Sequence, residues 1–149
     1  MCGIFAMISK SKIPINKFLL NGLRQLQNRG YDSAGICTVS EKSFEVIKYA
    51  SEDVNAISKI EKKVDMEELS TLGISHTRWA THGGKTDKNS HPHVSYDGKI
   101  YLVHNGIIEN FDTIKKFLIS KEIDFQSQTD TEVIAHLLAY NYSQNPDFT

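Results

Sequence analysis

Apolar and polar residues recur along this chain with periods that mark its elements. Residues 3–8 (Gly-Ile-Phe-Ala-Met-Ile) are an apolar run with β-branched and aromatic members, which predicts a short buried strand. From 16 to 28 the period becomes helical: Phe18, Leu19, Leu23 and Leu26 share one face, with Asn16 as N-cap and Gly30 as the stop. Residues 34–39 and 44–49 predict two strands joined by a polar turn at 40–43, and 52–63 a second helix with a charged outer face. A strand at 72–76 runs into a polar segment, 77–91, that contains Gly83-Gly84. Loops of that length inside a compact domain are mostly functional or disordered. A strand at 99–103 leads into Asn105-Gly106, and helices are predicted at 111–118 and 131–140. The elements lack a uniform βαβ rhythm, which favours an α+β fold with mostly antiparallel pairing.

Composition narrows the classes of function. The 149 residues suggest one domain, and 40% hydrophobic with 23% charged residues suits a globular protein. The 17 basic and 18 acidic side chains nearly cancel, which argues against nucleic acid as a partner. No apolar run reaches membrane-spanning length, and the short run at 4–8 is followed, not preceded, by lysines. The expectation is a cytoplasmic protein with no membrane partner. Two cysteines, Cys2 and Cys37, are too few for a disulfide framework, and Cys37 sits in an apolar stretch that reads as core.

Cys2 carries the most chemistry. Removal of Met1 would leave it first in the chain, with a thiol and a free α-amine on one residue. A thiol titrates near ~8.5 and an α-amine near ~7.7–8.0, so a nucleophile and a base would stand together close to neutral pH. Activation of a nucleophile by the chain's own terminal amine is an established route to acyl chemistry. The alternative is a small buried residue at the start of a strand.

Further polar clusters punctuate the scaffold. Arg29-Gly30-Tyr31-Asp32-Ser33-Ala34-Gly35 reads as a helix stop and turn. His76-Thr77-Arg78-Trp79-Ala80-Thr81-His82-Gly83 ends a strand; its guanidinium is a fork suited to a carboxylate, and its Trp is either core or a loop cover. Five of six histidines lie between 76 and 104, including His91-Pro92-His93, yet their spacing fits no helical metal motif and no Cys is near. Val103-His104-Asn105-Gly106 is either a hairpin turn or an oxyanion hole made of an Asn amide and a backbone N–H. Thr129 and Glu132 have capping-box spacing, which puts Asp130 in the first turn of a helix, as a stabiliser of the helix or a ligand for an ammonium group.

Taken in order, these clusters resemble the glutaminase domain of the glutamine–fructose-6-phosphate aminotransferases, which make glucosamine 6-phosphate. That domain is a class II glutamine amidotransferase with the N-terminal-nucleophile hydrolase fold, an αββα sandwich. The stretches that carry the likeness are Cys2-Gly3-Ile4, residues 29–36, 73–83, His91-Pro92-His93, 103–110 and 129–137. The resemblance implies one type 2 amidotransferase domain over 1–149 that hydrolyses L-glutamine to glutamate and ammonia through a Cys2 thioester. It implies Cys2 as nucleophile with its α-amine as base, and Asn105 with the Gly106 N–H as oxyanion donors. Arg78 would hold the glutamine carboxylate and Asp130 its ammonium. Trp79, Thr81, His82 and Gly83 would form a loop over glutamine, with Arg29 and His91 supporting the site. No metal or cofactor is expected.

The family's two sugar-isomerase domains, which bind fructose 6-phosphate and receive the ammonia, have no counterpart here. The glutaminase domain normally also continues past the helix at Asp130, so the sandwich is expected to be incomplete at its C-terminal end. An unfinished sheet leaves an edge and an apolar face uncovered, and instability or reliance on a partner follows; cooperative unfolding of a monomer would argue against it. The partner would be a synthase or isomerase domain, or a full-length homologue, that takes the ammonia. The alternative function is a truncated, non-catalytic module that binds glutamine or regulates.

Overall fold

The computed structural model describes residues 2–39, 43–80 and 83–145. Most of the turn expected at 40–43 lies outside them, as do Met1 and two candidate site residues, Thr81 and His82.

The alternating run after Cys2 forms a longer strand than its apolar part suggests, β1 (Gly3–Ile13). It leads through Pro14 into α1 (Ile15–Leu26), a short 3-10 turn (Gln27–Arg29), then β2 (Ser33–Val39) and β3 (Phe44–Ala50). A short helix α2 (Ala56–Glu61) precedes β4 (Ser70–Arg78). The four strands make one antiparallel sheet in the order β1-β4-β2-β3. Pairing of Gly3 with Thr77 sets the start of β1 beside the end of β4, which carries Cys2 next to Arg78 and Trp79 across more than seventy residues of chain.

One face of this sheet packs on α1 and α2. Ile15, Leu19, Leu20 and Leu23 form the buried stripe of α1 and meet Ile36, Ile57 and Ile60. Phe18, expected on that stripe, lies off it and is exposed. Asn16 is not the N-cap: Pro14, with its φ fixed at −71°, opens the helix, and Asn16 is buried inside it, its Nδ2 donating to the Asp65 carbonyl at 2.9 Å. The second helix is half its expected length, because Asn55 caps it by accepting the Ile57 N–H at 2.8 Å and holds 52–55 outside it.

The other face carries a second layer. Strands β5 (His93–Val94) and β6 (Tyr101–Leu102) form a hairpin, backed by α3 (Phe111–Ile119) and α4 (Glu132–Gln144). Leu118, Ile123 and Val133 make a small separate core between these helices and their surroundings. The layer order is therefore helix, sheet, sheet, helix, with two strands in the second sheet among the described residues. That sheet covers the first unevenly. At the Arg78 end the segment before β5 lies directly on β2: a Cβ at Gly35 would sit 2.0 Å from the His91 carbonyl, so only glycine lets the two backbones approach. Lys48 on β3 ties the same segment down, donating to the carbonyls of Ser90 and Pro92 at 2.7 and 2.9 Å. At the opposite end Phe44 stacks on Tyr101, while Ile8 and Leu72 stay exposed beside an apolar cavity lined by Cys37, Val39 and Ile74.

The hairpin reading of Asn105-Gly106 is overturned. The hairpin is β5–β6, closed at Asp97-Gly98, where Ser95 and Asp97 accept the turn's amides. The capping box is overturned too. Helix α4 begins at Glu132, after Thr131, and the Glu132 carboxylate reaches back to the amides of Gln126 and Ser127, both at 2.8 Å, rather than to Thr129.

Candidate active site

Cys2 is half-buried at the mouth of a cleft where the two sheets meet. Its sulfur lies against the backbone of Trp79, accepting that residue's N–H at 3.2 Å. Arg78 forms the inner wall. It is buried, its guanidinium donates to the Gly84 carbonyl at 3.3 Å, and the Asp32 and Asp130 carboxylates nearby offset part of the cost of burying its charge. Trp79 itself is 46% exposed and edge-on to Tyr31, so it belongs to the cleft rim and not to a core.

Asn105 stands opposite. Its Nδ2 donates to the Cys2 carbonyl at 2.9 Å and its Oδ1 contacts His76 Nε2 at 2.8 Å. An amide nitrogen carries two hydrogens, so one N–H remains without a partner among the described residues. Gly106 follows on the cleft lining; the space a Cβ would need there is filled by the His104 ring, 2.6 Å away. Asp130 precedes α4, buried, with Oδ2 accepting the Ile108 N–H at 2.7 Å. That bond ties it to the segment carrying Asn105, and Asp130 itself lines the cleft.

Cys2, Arg78, Trp79, Gly106, Asp130 and His91 thus converge on one cleft, with Asn105 bonded to Cys2 at its edge. Two expected members sit elsewhere. Gly83 packs against Asn89 and Gln128, and the Arg29 guanidinium is exposed with no hydrogen bond to the site among the described residues. Thr81 and His82 lie outside the described residues.

Some participants escaped the sequence reading. Asp32, read as a turn residue, is buried, accepts the Ala80 N–H at 2.9 Å and pairs with Lys85 at 2.5 Å, so it fastens both flanks of the loop after Trp79. Burial opposes its ionisation, but Lys85 and the Ala80 amide outweigh that and hold its carboxyl below the usual range. His104 and Thr131, paired at 3.3 Å, line the cleft floor. His76 is fully buried, its ring stacked on His91 at 4.2 Å. Burial lowers His76 to about 4 and His93 to about 3, and pushes His91 down as well, so all three are neutral near pH 7. The clustering of histidines between 76 and 104 was the signal for this layer. Their partners are Asn105, Thr129 and Thr131, and no metal-holding group of His, Cys, Asp or Glu occurs among the described residues.

Comparisons with known proteins agree with this geometry. Residues 61–144 match the family described as "Glutamine amidotransferase domain". A glutamine–fructose-6-phosphate aminotransferase (isomerizing) of Caldanaerobacter subterraneus subsp. tengcongensis is 50% identical over 144 residues, 96% of this chain and 23% of that protein. A protein of Acanthamoeba polyphaga mimivirus, named as a probable enzyme of the same kind, is 47% identical over 147 residues, 97% of this chain and 24% of its own length. The chain thus spans about a quarter of the length of these relatives. Among solved structures, the glutamine phosphoribosylpyrophosphate amidotransferase of B. subtilis, complexed with ADP and GMP, superposes with a TM-score of 0.70 at 26% identity, over 93% of this chain and 29% of that one. A structure titled as the allosteric regulatory enzyme of purine biosynthesis gives 0.74 at 27% identity, over 99% and 30%. The α+β sandwich is that of the N-terminal-nucleophile hydrolases. With its cleft, its sandwich and its matched sequence in agreement, the chain belongs to the glutamine amidotransferase family.

Proposed function

We propose that this chain hydrolyses the side-chain amide of L-glutamine, as the glutaminase part of an aminotransferase that makes glucosamine 6-phosphate in the cytoplasm. Once Met1 is removed, the α-amine of Cys2 takes the thiol proton and the sulfur attacks the amide carbon. The oxyanion of the tetrahedral intermediate takes hydrogen bonds from the second N–H of Asn105 and from the Gly106 N–H. The C–N bond then breaks, the nitrogen gains the proton from the α-amine, and ammonia leaves a γ-glutamyl thioester. Water adds to the thioester and releases glutamate and the free thiol. Arg78 pairs with the α-carboxylate as a bidentate fork, and Asp130 with the α-ammonium. Trp79 at the cleft rim covers the substrate and His91 supports the site; Thr81 and His82 are the candidates for the rest of the cover, whereas Gly83 and Arg29, which sit elsewhere, take no part. The ammonia passes to a synthase or isomerase domain, or to a full-length homologue, bound beside the cleft.

One observation carries this reading: Cys2, Arg78, Asn105 and Asp130, from four distant parts of the chain, face one cleft with a sulfur, a guanidinium, an amide and a carboxylate. Glutamate and ammonia released from glutamine by the chain, and lost in Cys2→Ala, would support it. Saturable glutamine binding with no turnover would instead favour the non-catalytic module.

A further inference from the structure

The cleft contains one hydrogen-bond chain whose direction can be deduced from chemistry alone. The Cys2 backbone carbonyl can only accept, so the atom of Asn105 facing it at 2.9 Å is the amide nitrogen. The amide oxygen therefore faces His76 Nε2 at 2.8 Å, and an oxygen requires a donor there. His76 Nε2 must carry a proton. The other ring nitrogen, Nδ1, is buried without a hydrogen-bond partner. A bare Nδ1 with a protonated Nε2 is the neutral ring. Neutrality also suits the stack with His91, since two facing cationic rings 4.2 Å apart would repel. His91 Nδ1 in turn accepts the His104 N–H at 3.4 Å, which anchors the stack to the segment that carries Asn105.

We propose that His76 is a positioning residue: its Nε2–H fixes the Asn105 amide with nitrogen toward Cys2, so that the spare N–H of that amide points into the cleft. Without this anchor the amide can turn over. Its oxygen would then face both the Cys2 carbonyl and the developing oxyanion, and repulsion would replace a hydrogen bond at the moment the charge forms. His76 touches neither substrate nor sulfur in this scheme; it acts only through Asn105. His91 supports the site by holding the His76 ring in plane. This inference rests on the glutaminase reading for its kinetic consequences, but not for its geometry.

Two measurements on the 149-residue chain test it. Ring 15N shifts of His76 at neutral pH should report a protonated Nε2 and a bare Nδ1; a proton on Nδ1 overturns the proposal, whether or not the chain turns over glutamine or any variant folds. Kinetics then test the role. His76→Phe, which keeps a ring for His91 but loses the donor, should lower kcat about 10- to 100-fold with KM within about threefold of wild type. His76→Gln, which retains an amide N–H, should recover most of that loss. Placed in the Asn105→Ala background, His76→Phe should cost nothing more. An equal further loss in that background, or a Gln variant no better than Phe, would overturn the positioning role. A wild-type chain without glutaminase activity would sink the functional reading instead, with the ring shifts still deciding the orientation.

Discussion

The two faces of the four-stranded sheet are held by different physics. On the α1–α2 face the buried side chains are Ile15, Leu19, Leu20, Leu23, Ile36, Ile57 and Ile60, and water exclusion does the work. On the cleft side the buried side chains are His76, Asn89, Ser90, His91, His93, Thr129 and Glu132. Burying such groups is costly unless each finds a partner, and most do: Thr129 with His93 at 2.8 Å, Ser127 Oγ with Glu132 at 2.6 Å, Asn89 Nδ2 with the Gly84 carbonyl at 2.9 Å. The first face provides stability. The second spends some of it to hold charged and polar groups in fixed directions around Cys2.

The largest effect that would sharpen this contrast is on stability. Leu23 is fully buried on the apolar face, and Leu23→Ala should cost about 2–5 kcal/mol in urea unfolding while native Cys2 keeps its reactivity toward a thiol reagent. An unchanged midpoint would mean that this stripe is not the core.

Next comes Asn105→Ala, on the polar side. Loss of one oxyanion donor should slow turnover by about 10²–10³, or about 2.7–4 kcal/mol, with glutamine binding and thermal stability little altered. Undiminished turnover would remove Asn105 from the chemistry.

The most gradual effect, spread over several pH units, is the response to acid. The unfolded chain protonates its histidines near 6.5, whereas folding lowers His76 to about 4 and His93 to about 3. Between those values the unfolded state binds more protons, so stability falls as pH drops below about 6.5. Glu132 extends the loss. Burial alone would raise its pKa, but the His136 ring 3.4 Å away and hydrogen bonds from the Ser127 hydroxyl and from the Gln126 and Ser127 amides outweigh burial and hold it at about 2. Its stabilisation is present above the unfolded value near 4.5 and is lost as pH falls toward 2. Each unit of displacement is worth about 1.4 kcal/mol. Thermal melts should therefore shift down steadily on acidification, and a Tm flat from pH 7 to 4.5 would show that the histidines are not buried neutral.

The same contrast explains what could be read from the sequence. The apolar face was legible because Leu19 and Leu23 repeat with the helical period and 34–37 is an apolar run; Phe18, one step off the stripe, and the helix starts at Asn16 and 52 misled. The polar face was legible as residue types but not as directions. Two Xaa-Gly pairs compete for the hairpin, and sequence rules favour Asn-Gly. Asp97-Gly98 closes it because β6 ends at Leu102 and the Asn105 amide is committed to His76 and Cys2. Glu132 has capping-box spacing from Thr129, yet its carboxylate is drawn to amides upstream of that threonine. Asp32 looked like a turn residue because its partners, Ala80 and Lys85, lie some fifty residues away. Short-range patterns record local bonds, and this cleft is built from long-range ones. The likeness carried by Cys2-Gly3, Arg78-Trp79 and His104-Asn105-Gly106 found the cleft where spacing alone did not.

The most direct measurement is the intact mass of the purified chain after exposure to an electrophilic glutamine analogue. The purified chain should lack Met1 and bear one adduct, on Cys2. A folded chain that keeps Met1, or whose Cys2 remains unmodified, would contradict it.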